Sequence, residues 1–304
     1  QSTTSTGTTS VGAAITFCAS NNNMAESPSG TAAGMGSNGS RNIIRNNSLG
    51  GHETGTKTGV TYGIWLAGNN STGQEDNVIQ DNYISNFYWF GIYNGFTRNT
   101  IIDGNEVTNP NVNSMYRWGA AMIYTEGQIW GQQSEGDVTM INNRLHNNHG
   151  TTTSAKASTF YGIYVNNHGF DSMTLINNAL YDMPATSTLY GFYYYTSMGI
   201  PGGGARNPVA TVLHNTISLD DQNNTYNGRM YGFYNGDNWG DATYKNNNVS
   251  MTQRSSNTTS DRWAYYEGNW STATYDNNNG HVERSNSATA TGDHYGGLIN
   301  GASH

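Results

Sequence analysis

Charge is scarce in this sequence. Asp, Glu, Lys and Arg make up 11% of its 304 residues, against roughly a quarter in ordinary soluble domains. Lysine occurs only as Lys57, Lys156 and Lys245. With no basic cluster and a net charge of -8, the chain lacks what phosphate neutralisation requires, which argues against nucleic acid and anionic membrane surfaces as partners. Cys18 is the sole cysteine, so no disulfide forms within the chain, and a lone thiol reads first as a small buried hydrophobe. No apolar run approaches the roughly 18 residues of a membrane helix, so no membrane insertion is expected. Gln1 is not followed by the basic and apolar regions of a signal peptide and is read as a mature terminus.

What fills the sequence instead is Asn, Ser and Thr, with 38 Gly and 21 Tyr. The surface is therefore solvated by amides and hydroxyls. A mean hydropathy of -0.66 alone would suggest disorder, but disordered chains are poor in aromatics, and here Phe, Trp and Tyr reach 12%. Enough apolar material is present to build a core.

Self-similarity is the strongest signal. One motif is an apolar pair, a spacer, then Asn-Asn or a relative, then another apolar residue, as in Ile43-Ile44-Arg45-Asn46-Asn47-Ser48-Leu49 and Val78-Ile79-Gln80-Asp81-Asn82-Tyr83-Ile84. Its second amide recurs as Asn47, Asn82, Asn105, Asn143, Asn178, Asn215, Asn247 and Asn278, with gaps of 35, 23, 38, 35, 37, 32 and 31. The other motif is an aromatic, a small residue and an apolar or aromatic pair. It occurs as Tyr62-Gly63-Ile64-Trp65, Phe90-Gly91-Ile92-Tyr93, Tyr161-Gly162-Ile163-Tyr164, Tyr190-Gly191-Phe192-Tyr193 and Tyr231-Gly232-Phe233-Tyr234, with looser copies ending at Tyr124 and Tyr266. The two motifs alternate, so one of each makes a repeat.

The segments are short, β-branched or aromatic, and separated by Gly, Asn, Ser and Thr, which break helices. They read as strands. Within Tyr161 to Met183, strands are expected at 161–165, 174–176 and 179–181, with Asn177-Asn178 turning the last corner, since Asn adopts the left-handed region more readily than other non-glycine residues. Such a coil cannot bury its apolar face alone, so coils must stack about 4.8 Å apart, strand upon parallel strand. Equivalent Asn side chains then hydrogen-bond along the axis as a ladder. The eight asparagines are accordingly assigned to turning and laddering, not to binding. The outer aromatics Trp65, Tyr93, Tyr124, Tyr164, Tyr193, Tyr234 and Tyr266 form an expected contact strip, suited to sugars or to a neighbouring molecule.

From Ile43 to Ile299 the spacing and the Asn corner resemble right-handed parallel β-helix repeats, the fold of pectate lyases, polysaccharide hydrolases, phage tailspikes and bacterial surface proteins. The resemblance implies an all-β solenoid of about eight coils over 41–304, preceded by a Ser/Thr/Gly-rich arm over 1–40. That fold carries enzymes, adhesins and rods alike.

Catalytic signatures are poorly matched. A polygalacturonase-like set needs Asn-Thr-Asp, Asp-Asp, Gly-His-Gly and Arg-Ile-Lys; Asn99-Thr100 and Asn215-Thr216 are each followed by Ile, Asp220-Asp221 stands alone, and the basic motif is missing. Arg206-Asn207-Pro208 is an isolated hint of a lyase. His149 and His168 with Asp171 lack tetrahedral metal spacing. A Gly-rich loop between Asp237 and Asp241 has no calcium-loop pattern, so calcium is a weak expectation and no catalytic or metal residue is assigned.

The arm reads as disordered in isolation. Its apolar stretch, including Val11, Ile15 and Phe17, is expected to pair with the sheet edge of a neighbouring copy. Repeated contacts of that kind do not close and grow fibres. The expectation is a non-catalytic extracellular structural or adhesive protein that polymerises with itself, with a carbohydrate-active β-helix acting on polysaccharide as the alternative.

Overall fold

The computed structural model describes residues 13–17, 39–50, 60–68, 74–110, 119–126, 136–148, 159–166, 170–183, 188–195, 209–221, 228–236, 241–253, 261–267, 272–284, 293–299 and 302–303. One coil shows how the chain is laid down. Thr159–Asn166, Ser172–Ile176 and Ala179–Tyr181 are its three strands. In the last two, buried and outward residues alternate with the period of two that a pleated strand imposes. Each strand pairs in parallel with its counterparts one coil before and one coil after: Ile163 with Ile123 and Phe192, Thr174 with Thr139 and Thr211, Leu180 with Leu145 and Ile217.

Repetition produces three long sheets. The first holds the aromatic motif in strands Ala13–Phe17, Val60–Ala67, Phe87–Gly95, Ala120–Glu126, Thr159–Asn166, Thr188–Tyr195, Arg229–Asn235, Arg262–Glu267, Asp293–Ile299 and Ala302–Ser303. The second holds the apolar pairs: Ile43–Arg45, Val78–Gln80, Thr100–Asp103, Asp137–Ile141, Ser172–Ile176, Val209–Leu213, Asp241–Lys245 and Thr272–Asp276. The third follows each Asn: Ser48–Gly50, Tyr83–Ser85, Glu106–Thr108, Arg144–His146, Ala179–Tyr181, Thr216–Asp221, Asn248–Gln253 and Asn279–Arg284. Among the described residues, Asp293–Ile299 with Ala302–Ser303 is the one antiparallel pairing. The chain is a parallel β-helix solenoid, and eight coils carry all three sheets. Right-handed winding is the hand expected when parallel strands are joined by crossovers.

Side chains from the three sheets meet along the axis. Ile163, Leu175 and Leu180 close the centre of one coil, and Phe192, Val212 and Ile217 that of the next, all essentially inaccessible to water. The small residue of the aromatic motif makes this approach close enough. A Cβ at Gly162 would overlap the Leu180 methyl and the carbonyl oxygen of Gly191; at Gly191 it would meet Ile217 and the carbonyl of Gly232. The first sheet bends inward there, so two successive residues face the core. That is why Tyr161 and Tyr164, three apart, both point outward.

The amino-terminal segment departs from expectation. Ala13–Phe17 pairs in parallel with the chain's own Val60–Ala67, Ile15 opposite Ile64 and Phe17 opposite Leu66. Ile15 and Phe17 pack against the chain's own core. Over 13–17 the proposed inter-subunit arm is therefore an intramolecular strand, because the first coil needs a third wall over Ile64 and Leu66; Val11 lies outside the described residues.

Candidate functional site

The asparagine pairs divide their labour. The first member takes the left-handed backbone: Asn46, Asp81, Gly104, Asn142, Asn177, His214, Asn246 and Asn277 all have φ between 52° and 66°. Asn, Asp, Gly and His are the types that tolerate this region, so the position varies among them. The second member turns its amide inward. Each side-chain Nδ2 donates to the Oδ1 of the next: Asn47 to Asn82 at 2.9 Å, Asn82 to Asn105 at 2.9 Å, Asn105 to Asn143 at 3.1 Å, Asn143 to Asn178 at 2.9 Å, Asn178 to Asn215 at 3.0 Å, Asn215 to Asn247 at 3.0 Å and Asn247 to Asn278 at 2.9 Å. The other amide hydrogen of Asn178 goes back to the Met140 carbonyl at 2.9 Å. From Asn82 to Asn247 these side chains are buried, with every amide hydrogen bonded, and no donor is left for a ligand.

The aromatic motif builds two outward columns on the first sheet. Trp65, Tyr93, Tyr124, Tyr164, Tyr193, Tyr234 and Tyr266 occupy equivalent positions in seven successive coils. Beside them run Tyr62, Phe90, Ala121, Tyr161, Tyr190, Tyr231 and Trp263 in the same register. The expected strip is thus contiguous, but its exposure is graded. Trp65, Tyr93 and Tyr124 are buried, at 2%, 1% and 4% of their full accessibility, while Tyr164, Tyr193, Tyr234 and Tyr266 are half-buried. Contact with a ligand is therefore confined to the later coils.

Even there the rings face one another. Tyr193 stacks on Tyr234 with centroids 4.8 Å apart and planes within 8°, Tyr234 on Tyr266 at 4.5 Å and 2°, and Tyr161 on Tyr190 at 5.0 Å and 6°. A sugar stacks on an open ring face. In these columns most faces are covered by the ring one coil away, leaving edges and hydroxyls outward. Withdrawal from water raises the phenol pKa of Tyr161 and Tyr234 to about 12.

A buried carboxylate in this face is Glu126, on the outer side two residues beyond Tyr124. It accepts hydrogen bonds from the Tyr93 hydroxyl at 2.6 Å and from the Tyr124 hydroxyl. The Asn166 amide donates to the Tyr124 hydroxyl at 2.9 Å. Burial raises the Glu126 pKa, and the donors from Tyr124, Tyr93 and Asn166 offset only part of that. Among the described residues no second carboxylate contributes to the shift; glycoside cleavage employs two.

Sequence reasoning missed Glu126, although a charged residue closing the apolar run Ala120–Tyr124 was a signal. It also missed Arg262 and Glu267, which flank Trp263 to Tyr266 and lie inside the last coil, almost fully buried. Glu267 accepts from the Tyr275 hydroxyl and the Asn235 amide, both at 2.8 Å.

On the third sheet, Glu106 lies 3.0 Å from His146 and 3.5 Å from Arg144, and His146 stacks on Tyr181. Both His146 ring nitrogens have partners, Glu106 and Asn147, so the ring is held in place by hydrogen bonds on both sides. His149, His168, Arg206 and Asp237 fall outside the described residues, and Asp171 and Asp241 are exposed. Among the described residues no three His, Cys, Asp or Glu gather as a metal site. No protein-family model, curated protein or solved structure matches this chain.

Proposed function

We propose that the protein is a non-catalytic extracellular structural or adhesive rod that associates with further copies of itself. The observation that carries this reading is the complementarity of the ladder's ends. Among the described residues Asn47 offers an Oδ1 that no preceding coil engages and Asn278 a backbone N–H that no following Oδ1 meets; every internal rung joins those same two groups, as Asn178 N–H does with Asn215 Oδ1 at 2.9 Å. The strands around them, Ile43–Arg45 and Ser48–Gly50 at one end, Thr272–Asp276 and Asn279–Arg284 at the other, are the terminal strands of their sheets. Unpaired edges of this kind recruit another chain.

The first sheet behaves differently. Ala302–Ser303 closes it at the carboxyl end, and Asp293–Ile299 already stands where an incoming copy's Ala13–Phe17 would sit. Continuation therefore runs through the second and third sheets, and the two strands compete for one place. An extracellular setting accords with a surface solvated by amides and hydroxyls rather than charge.

Electron microscopy and sedimentation of the full chain test this reading. Ordered polymers are expected, and Ser48→Pro should abolish them. By analogy with Tyr83 N–H, which donates back to Asn47 O, the Ser48 N–H points out of the open end, so Pro removes a donor that no described residue of the monomer accepts. Polymers unaffected by Ser48→Pro, or monomers at every concentration, would defeat the reading. A polysaccharide-binding role is the second reading; retention on a glycan panel that falls when Tyr234 or Tyr266 is replaced by Ala would favour it.

A further inference from the structure

The outer face of the second sheet carries a stripe that neither the ladder nor the aromatic columns explain. Its central column is β-branched in all eight coils: Ile43, Val78 and Ile101, then Thr139, Thr174, Thr211, Thr243 and Thr274. Beside it, in the fourth to sixth coils, run Ile141, Ile176 and Leu213. Of the five exposed large hydrophobic residues among the described ones, Ile43 at 64%, Ile101 at 38% and Val209 at 46% are on this face. Among the described residues the exposed aliphatic side chains are concentrated here. Contiguous exposed apolar surface on a soluble chain marks an interaction site.

We propose that this face packs laterally against the same face of a second copy, with the two rods antiparallel. Period is the first argument. A stack of parallel strands rises about 4.8 Å per coil, and a second copy is a partner certain to have the same rise, so side chains interdigitate in register over the whole length. Charge supplies the second. A two-fold axis along the strand direction sets the first coil against the eighth and the fourth against the fifth. Arg45 of one copy then meets Asp276 of the other, which its own Lys245 also holds at 2.7 Å; Lys245 meets Gln80, Thr139 meets Thr174, and Asp103 meets Leu213. Asp76 meets Asp241, but Arg41, 3.6 Å from Asp76, stands beside that pair. A parallel arrangement would instead bring Arg45 against Arg41. Eight strands three residues wide bury about 400 Å² per copy, at the weak end of specific interfaces. Single rods should therefore pair reversibly, and rods joined end to end should pair firmly because each contact raises the effective concentration of the next.

The pairing does not depend on the end contact, and the test separates them by using the full chain with Ser48→Pro throughout. Sedimentation velocity up to about millimolar protein, the range for an interface this small, should show the average mass rising towards twice the monomer. Adding Thr174→Lys, at the centre of the face, should remove the rise, while Thr216→Lys, exposed on the third sheet, should leave it. Arg45→Asp removes both symmetry-related contacts and should weaken pairing by roughly tenfold, the worth of two exposed charge pairs, and adding Asp276→Arg should restore it. Monomers throughout, equal effects of Thr174→Lys and Thr216→Lys, or no rescue by the charge exchange would overturn the proposal. Retention on insoluble polysaccharide that is lost with Thr174→Lys, in a chain that stays monomeric, would assign the face to a glycan and equally overturn it.

Discussion

Replacing Asn178 by Ala tests the ladder where it is most enclosed. The side chain accepts from the Asn143 backbone N–H at 3.0 Å and from the Asn143 amide at 2.9 Å, and donates to Met140 O at 2.9 Å and Asn215 Oδ1 at 3.0 Å. Truncation strands two donors on Asn143, while the Met140 carbonyl stays in the parallel ladder with Ser172–Ile176 and Asn215 Oδ1 keeps the backbone N–H of position 178 at 2.9 Å. Each stranded buried group costs about 1–3 kcal/mol, so the loss from the two donors should be roughly 2–6 kcal/mol, a large share of the stability of any domain. At the end of the ladder, Asn278 accepts from Asn247 and donates to the Tyr244 carbonyl, but it is half-exposed. Water replaces what Ala removes there, and the loss should be about 1 kcal/mol.

Denaturant unfolding measures the global difference. Hydrogen exchange across residues 136–183 shows where it acts, since stacked coils open unit by unit. Equal losses at 178 and 278, or less than about 1 kcal/mol at 178, would refute the reasoning that burial gives the ladder its value. Asn178→Asp sharpens the test. The carboxylate still accepts from Asn143 but sets negative oxygens against Met140 O and Asn215 Oδ1. Its folded pKa must lie above the unfolded value, so this variant should be most stable below about pH 4 and lose stability as pH rises.

Alkaline titration followed at 295 nm should show eleven phenols, Tyr93, Tyr124, Tyr161, Tyr164, Tyr190, Tyr193, Tyr231, Tyr234, Tyr244, Tyr265 and Tyr275, resisting ionisation while the protein stays folded. Because these folded pKa values are raised, their stabilising contribution is complete below about pH 10 and falls as pH climbs through the value of about 12 for Tyr161 and Tyr234. Full ionisation near pH 10 with intact circular dichroism would contradict the burial of these columns. Glu126 also has a raised pKa, so its contribution is complete below about pH 4 and declines as pH rises through the folded value; Glu126→Gln should stay within about 1 kcal/mol at pH 7 and flatten the pH dependence of the denaturation midpoint. Gly191→Val places a branched side chain against Ile217 and the Gly232 carbonyl and should cost about 2–4 kcal/mol by the same measurement.

The repeats made the coil legible because stacking forces one residue type to recur wherever one environment recurs. Asn47 to Asn278 could be chosen as ladder members on spacing alone, and the strands expected around 174–176 and 179–181 are present. Three features were out of reach. The inward bend at Gly63, Gly91, Gly162, Gly191 and Gly232 breaks the two-residue alternation, so outward Tyr161 and inward Arg262 cannot be assigned by parity. The exposure of Trp65 and Tyr93 depends on what lies over them, which periodicity along the strand does not encode. Whether Ile15 and Phe17 pair at home or abroad depends on the first coil's unmet need for a wall, a tertiary demand invisible in a local pattern.

A solenoid reuses each solution along its length, and this chain reuses inward-facing ones. Amide pairs with amide, ring lies on ring, and Glu126 is held by tyrosines whose own rings belong to the columns. Recognition of a soluble ligand calls for polar groups and ring faces left over after folding, and the described residues leave few. What remains outward is periodic: strand edges at the ends and a β-branched stripe along one side. Periodic surfaces match partners with the same period, and an identical rod satisfies that condition without further specification. The self-association proposed above would draw on the same stacking that makes the fold.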